Sequence, residues 1–155
     1  MAIRNIIQKG DPVLRKKCFE VTDFGPKTHQ LLDDMKETLK YVRGVGLAAP
    51  QVGVLRRIFI VMIEEDGVYY ECINPKILSA SGKQVGEEGC LSVSGKQGIV
   101  ERPKHVKIQA YDRYGRLFTV QADDLLARAF CHENDHLDGI LYIDKAKNVV
   151  DESND

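Results

Sequence analysis

The stretch Asp123 to Gly139, DDLLARAFCHENDHLDG, constrains this chain more than any other. It carries His132, Glu133 and His136 in an H-E-x-x-H pattern. Two imidazoles four residues apart project from one helical face about 40° apart, taking roughly 100° per residue. That spacing lets both rings reach one metal ion. Glu133 falls beside such an ion rather than on it, where a carboxylate can take a proton from a metal-bound water. Leu125, Leu126, Ala127, Ala129, Phe130 and Cys131 cover most of the helical circumference, the pattern of a helix buried on most sides. Two imidazoles and a carboxylate on such a helix are costly unless paired or bound to a metal, so the stretch reads as a hydrolytic metal site.

The size prior makes 155 residues one domain, 1–155, able to bury ~70% of the surface its unfolded form exposes. With 22 basic and 23 acidic side chains, nothing suggests a nucleic-acid patch or a polybasic membrane anchor. The start has no apolar run of signal-peptide length, and the longest run free of polar residues, Ile58 to Ile63, is far too short to span a bilayer. The chain therefore reads as cytoplasmic. Cys18, Cys72, Cys90 and Cys131 show no CxxC spacing and, in a reducing compartment, read as buried thiols or ligands.

From Thr28 to Tyr41, Leu31, Leu32, Met35 and Leu39 share one helical face, and Thr28 is the expected N-cap of this surface helix. Gly44 to Gln51, GVGLAAPQ, fails as a dinucleotide fingerprint: no strand precedes it, the third glycine is missing, and Pro50 opposes the helix that should follow. What remains is a small-residue loop where backbone can approach a ligand, ending in the Gln51 amide, a hydrogen-bond donor. A tight-packing turn explains the loop equally well. Strands are expected at Ile58 to Ile63, Val68 to Ile73 after an Asp66-Gly67 turn, Lys76 to Ala80, Gln84 to Glu87, and in a hairpin of Val106 to Tyr111 with Leu117 to Gln121. The polar, acidic tail Lys145 to Asp155 is expected to fray.

A zinc-type site on H-E-x-x-H needs a third protein ligand, and no histidine or carboxylate follows at the spacing of the extended metalloprotease motif. Cys90, flanked by Gly89, is the leading candidate, although a lone cysteine is more often an ordinary buried thiol. Glu88 is charged where a buried site would disfavour it, and is expected to orient one of the two histidines.

Together, GVGLAAPQ at 44–51, EGCLS at 88–92 and HENDH at 132–136 resemble, in order and spacing, the three motifs of the peptide deformylases. GDPVLR at 10–15 resembles that family's N-terminal segment, and the likeness covers most of residues 3–144. The resemblance implies an α+β fold, a single domain with the H-E-x-x-H helix wrapped by antiparallel sheets and an N-terminal helix at the surface. It implies a hydrolase removing the formyl group from the N-terminal formyl-methionine of nascent chains near the ribosome exit. By motif match, Cys90, His132 and His136 would hold Fe(II), with zinc, nickel or cobalt able to replace it. Glu133 would be the acid/base, Gln51 and the Leu91 backbone N–H would bind the oxyanion, and Gly44, Val45 and Gly46 would lie along the bound peptide. Two positions depart from the family pattern: Cys131 where glutamine is usual, read as packing, and Ser94 where proline is usual, expected to loosen the loop beside the peptide. The rival readings are a zinc endopeptidase of the H-E-x-x-H type and a non-catalytic peptide-binding relative.

Overall fold

The computed structural model describes residues 2–151; positions 152–155 of the expected tail lie outside them. Helix α1 is Pro26–Val42 and helix α2 is Asp124–His136. The strands are β1 Gly46–Ala48, β2 Ile58–Ile63, β3 Val68–Ser81, β4 Gln84–Cys90, β5 Val93–Arg102, β6 His105–Tyr111, β7 Leu117–Asp123 and β8 Lys147–Asp151. Two antiparallel sheets result, one in the order β1-β2-β3-β6-β7 and a smaller one in the order β4-β5-β8.

The unbroken apolar run in β2 follows from its place in the larger sheet, because alternate side chains leave opposite faces and both faces are covered. Phe59 and Val61 pack with Ala127, Phe130 and Leu137 on the α2 side. Ile58, Ile60 and Met62 pack with Leu31, Leu32, Met35 and Leu39 of α1 on the other. A third cluster of Leu14, Val93, Val100, Leu141 and Tyr142 ties the smaller sheet to the N-terminal segment and to the chain following α2. The fold is α+β, with α2 held between the larger sheet and the smaller one. Among the described residues no helix is long and apolar enough to cross a membrane.

Several local expectations are corrected. Helix α1 starts at Pro26 with Gly25 as its N-cap, and the Thr28 hydroxyl, already inside the first turn, donates to the Asp23 carbonyl at 2.6 Å. Proline suits that first position because its missing N–H would be unbonded there anyway. The two strands expected between 68 and 80 are one, β3, bulged where Asn74 takes φ +50°. The Asn74 amide substitutes for a strand neighbour, accepting from Val21 N at 2.8 Å and donating to Val21 O at 2.9 Å.

Strand β5 was not expected, since glycines at 95 and 98 and weak alternation mask it; it pairs with β4 from Gln84↔Arg102 to Cys90↔Val93. Nor does the tail fray from residue 145: β8 pairs with β5 at Lys96↔Asp151, Gln97↔Val150 and Ile99↔Lys147. All five β8 side chains are exposed, so backbone pairing holds the strand and leaves no apolar pattern to read.

Candidate metal centre

Helix α2 buries Ala127, Phe130 and Cys131 in the core and thereby presents His132 and Glu133 to one cleft, with His136 fully buried behind them. The ring centroids of His132 and His136 are 5.1 Å apart. Leu125 departs from the expected all-round burial: it is half exposed and lies at the cleft mouth. Strand β4 ends at Cys90, whose Sγ stands 3.3 Å from His136 Nε2. One donor atom each from Cys90, His132 and His136 lies within 4.8 Å of the others, a set that could hold a metal ion. Two imidazoles and a sulfur suit a borderline or soft divalent cation and leave a tetrahedral ion one open position.

Glu88, two residues before Cys90, is buried among cations. Arg102 binds it through Nε and Nη2, both at 2.9 Å, and Arg128 Nη1 reaches it at 2.5 Å. His132 Nδ1 lies 2.8 Å from Glu88 Oε1. Burial alone would raise the Glu88 pKa, but hydrogen bonds from Arg102 and His132 outweigh it and hold the carboxyl far below its usual range. An ionised Glu88 can only accept, so His132 keeps a proton on Nδ1, and Nε2 is the nitrogen that must give up its proton before a cation can bind there. Tyr142 stacks on the His132 ring with centroids 6.0 Å apart.

The two imidazoles differ in the field of the protein's own groups. Burial lowers the His132 pKa, but the Glu133 charge and hydrogen bonds with Cys90 and Glu88 hold it up at about 10. His136 is pushed well below its usual value by burial and by the positive charge of His132. The pocket therefore takes one positive charge between the rings, and a proton and a cation compete for it.

Glu133 is lifted to about 7 by burial. Its Oε2 stands 4.0 Å from His132 Nε2, and its Oε1 is buried with no hydrogen-bond partner. Gln51 sits in a short 3-10 turn, Ala49–Val52. Its Oε1 accepts from Ala48 N at 2.9 Å, while Nε2 donates to Ser92 Oγ at 3.0 Å and faces Cys90 Sγ at 3.6 Å. Leu91 follows Cys90 in the turn to β5, and among the described residues nothing accepts from its N–H. Gly44 packs against Leu39 and Leu91, where a β-carbon would lie 2.8 and 3.0 Å from them. Val45 is partly exposed, with its carbonyl bonded to Met62 N at 2.7 Å, and Gly46 opens the edge strand β1. Of the expected site residues, all but His136 line one cleft of about 370 Å³.

The two departures from the family pattern are both accommodated. Cys131 belongs to the main core cluster, and burial pushes its thiol up to about 11, which keeps it protonated and inert. Ser94 does not free its loop: its Oγ donates to Gln8 Oε1 at 2.9 Å, and Gln8 Nε2 donates to Leu91 O at 2.9 Å, so the N-terminal segment clamps the turn beside Cys90.

Sequence reasoning passed over Arg102, Arg128 and Ser92. A signal existed for Arg128, an arginine one helical turn before His132 among apolar neighbours, which had to find an acidic partner. Arg102 and Ser92 carry no such pattern.

A family model described as polypeptide deformylase matches residues 3–152. The peptide deformylase of Lachnoclostridium phytofermentans is 51% identical over 153 residues, covering 98% of this chain and 94% of that protein. A crystal structure of a peptide deformylase from Legionella pneumophila superposes with a TM-score of 0.91 at 40% identity, covering 95% of this chain and 88% of that one. The peptide deformylase of Ehrlichia chaffeensis in complex with actinonin gives a TM-score of 0.92 at 35% identity, covering 96% of this chain and 91% of that one. With matches that run nearly end to end and a cleft assembled from the same three stretches, the chain belongs to the polypeptide deformylase family.

Proposed function

We propose that this chain is a metal-dependent hydrolase that removes the formyl group from N-formyl-methionyl nascent peptides in the cytoplasm, near the ribosome exit. The observation that carries the reading is the convergence of one donor atom each from Cys90, His132 and His136, where Cys90 and His132 line a cleft with Glu133 and Gln51. Cys90, His132 and His136 would hold the ion, Fe(II) in the cell, with zinc, nickel or cobalt able to take its place on the same donors. Such an ion supplies Lewis acidity and brings the pKa of a coordinated water from that of bulk toward ~7.

The chain's own groups do the rest. Glu88 fixes the His132 tautomer and ring angle. Glu133, with one oxygen unpartnered, takes a proton from the attacking water and delivers it to the departing amine. The free Leu91 N–H and the Gln51 amide donate to the oxygen of the formyl group as it becomes negative, Gln51 giving up its longer contact with Cys90. Strands β1 and β4 are the edges of their two sheets, so the outer edge of β1 at Gly46, with Gly44 and Val45 leading into it, is where an extended peptide can lie.

The test is anaerobic incubation of iron-, nickel- and zinc-loaded protein with formyl-Met-Ala-Ser and with a longer unmodified peptide. Formate release from the first, with one metal per chain, is the expected result. Internal cleavage of the second would make the protein an endopeptidase, and neither reaction would leave only a peptide-binding relative.

A further inference from the structure

The N-terminal segment reaches the residues of both oxyanion donors from outside the cleft. Ile7 N donates to Gln51 O at 2.8 Å, and Lys9 N donates to Ser92 O at 2.6 Å. Between these two bonds the Gln8 side chain uses both ends of its amide. Its Nε2 donates to Leu91 O at 2.9 Å and, at a longer 3.4 Å, to Ile6 O. Its Oε1 accepts from Ser94 Oγ at 2.9 Å and from Ser94 N at 3.3 Å. Gln8 itself is exposed and does not line the cleft.

The main-chain bonds of Ile7 and Lys9 already dock the segment, so the Gln8 amide has a narrower effect. Leu91 and Ser92 turn β4 into β5 and are closed by the Cys90↔Val93 pair. The ladder behind this turn shifts register between Glu88 and Cys90, so strand pairing alone does not fix its angle. A two-residue turn pivots at the peptide between its central residues, and here the carbonyl of that peptide is Leu91 O. Held by Gln8, that carbonyl cannot rotate without losing its hydrogen bond, and the N–H on the other side of the same α-carbon is steadied with it. The turn also reaches the second donor, because Ser92 Oγ accepts from Gln51 Nε2 at 3.0 Å.

Resting on the deformylase reading above, we infer that Gln8 is a positioning residue for the reaction, holding the 91–92 turn so that the Leu91 N–H meets the oxygen as it becomes negative. Ser94 in turn holds Gln8, with a hydroxyl and an N–H that proline, usual at that position in the family, would not provide. A donor aimed in advance favours the transition state over the bound substrate, so loss of Gln8 acts on kcat and leaves KM.

The experiment compares wild type with Gln8→Met, which keeps the length without the amide, and with Gln8→Glu, which keeps the acceptor for Ser94 but cannot donate to Leu91. Gln8 is exposed, so neither replacement opens the core. On formyl-Met-Ala-Ser both should lower kcat about 3–10-fold, the range of one neutral hydrogen bond, with KM and bound metal near wild type. Ser94→Ala, which removes one contact to Gln8, should fall between them and wild type. In isotope-labelled, zinc-loaded protein, the order parameter of the Leu91 N–H should fall from about 0.85 toward about 0.6 in Gln8→Met, a reading independent of turnover. Unchanged kcat, a loss of kcat with Leu91 as rigid as before, or a loss that appears in KM instead, overturns the inference while deformylation by the wild type stands. A wild type that releases no formate overturns the functional reading and this inference with it.

Discussion

Gly46 lies so close to Glu133 that a β-carbon on it would fall 2.5 Å from the carboxylate Oε2. The obstacle runs along the whole carboxylate end, with Cδ at 2.8 Å and Cγ at 2.9 Å. Any side chain at position 46 must therefore push Glu133 away from the metal-binding donors. Gly46→Ala is expected to lower turnover by ~100-fold, the scale of an ångström-sized misplacement, with bound metal and melting temperature near wild type. Steady-state kinetics beside metal analysis check this, and full activity would show that Glu133 has slack the packing does not suggest.

Replacing the carboxylate itself separates proton transfer from coordination. Glu133→Gln keeps the shape and should retain one metal per chain while losing ~100-fold or more in turnover. Metal loss in that variant would make Glu133 a ligand.

The parts legible in the sequence were those with a short period or a fixed spacing. His132 and His136 share a helical face by arithmetic, and the two covered faces of β2 show in six consecutive apolar residues. Cys90 was different: a lone cysteine has no period, so the need for a third ligand and its glycine neighbour made it a candidate, and its likeness to a known motif strengthened that reading before the fold placed its sulfur beside His136. Arg102 was illegible because its partners Glu88 and Asp135 are 14 and 33 residues away, a relation that the pairing of β4 with β5 creates. Strand β8 escaped for the opposite reason, since main-chain bonds hold it and leave no trace in side-chain type.

Glu88 holds two arginines and a histidine together, so its neutral isostere has two consequences. Glu88→Gln should weaken metal binding by ~10–100-fold through loss of the His132 hydrogen bond. It should also destabilise the fold by about 3–5 kcal/mol, because Arg102 and Arg128 are left buried with less counter-charge. Metal titration and denaturant unfolding read the two effects separately, and an unchanged affinity would mean that His132 needs no external support.

Acid stability should be sensitive to Asp34, which fastens the N-terminal segment to α1 by accepting from Ala2 N at 2.8 Å, Arg4 Nε at 2.9 Å and Gln30 Nε2 at 2.7 Å. Burial would raise its pKa, but these hydrogen bonds, Arg4's foremost, outweigh burial and leave it below the usual carboxylate value. A pKa depressed on folding gives stability that is present above the unfolded value of about 3.9 and is lost as pH falls through the folded one. Asp34→Asn should therefore cost about 1–3 kcal/mol at pH 7, and the gap should close below about pH 4. Urea unfolding at several pH values measures it, and a gap that stays constant with pH would show that Asp34 acts by shape and not by charge.

The order of the parts along the chain sets when the site can exist. Cys90 precedes His136 by 46 residues, and β8, which completes the smaller sheet, follows later still. At about 5–20 residues per second, roughly 2–9 s of synthesis separate the thiol from the imidazole it faces. During that interval the sulfur has neither its histidine neighbours nor the strand that covers its sheet. A cation that needs all three donors can therefore be held only once the chain has been made through His136.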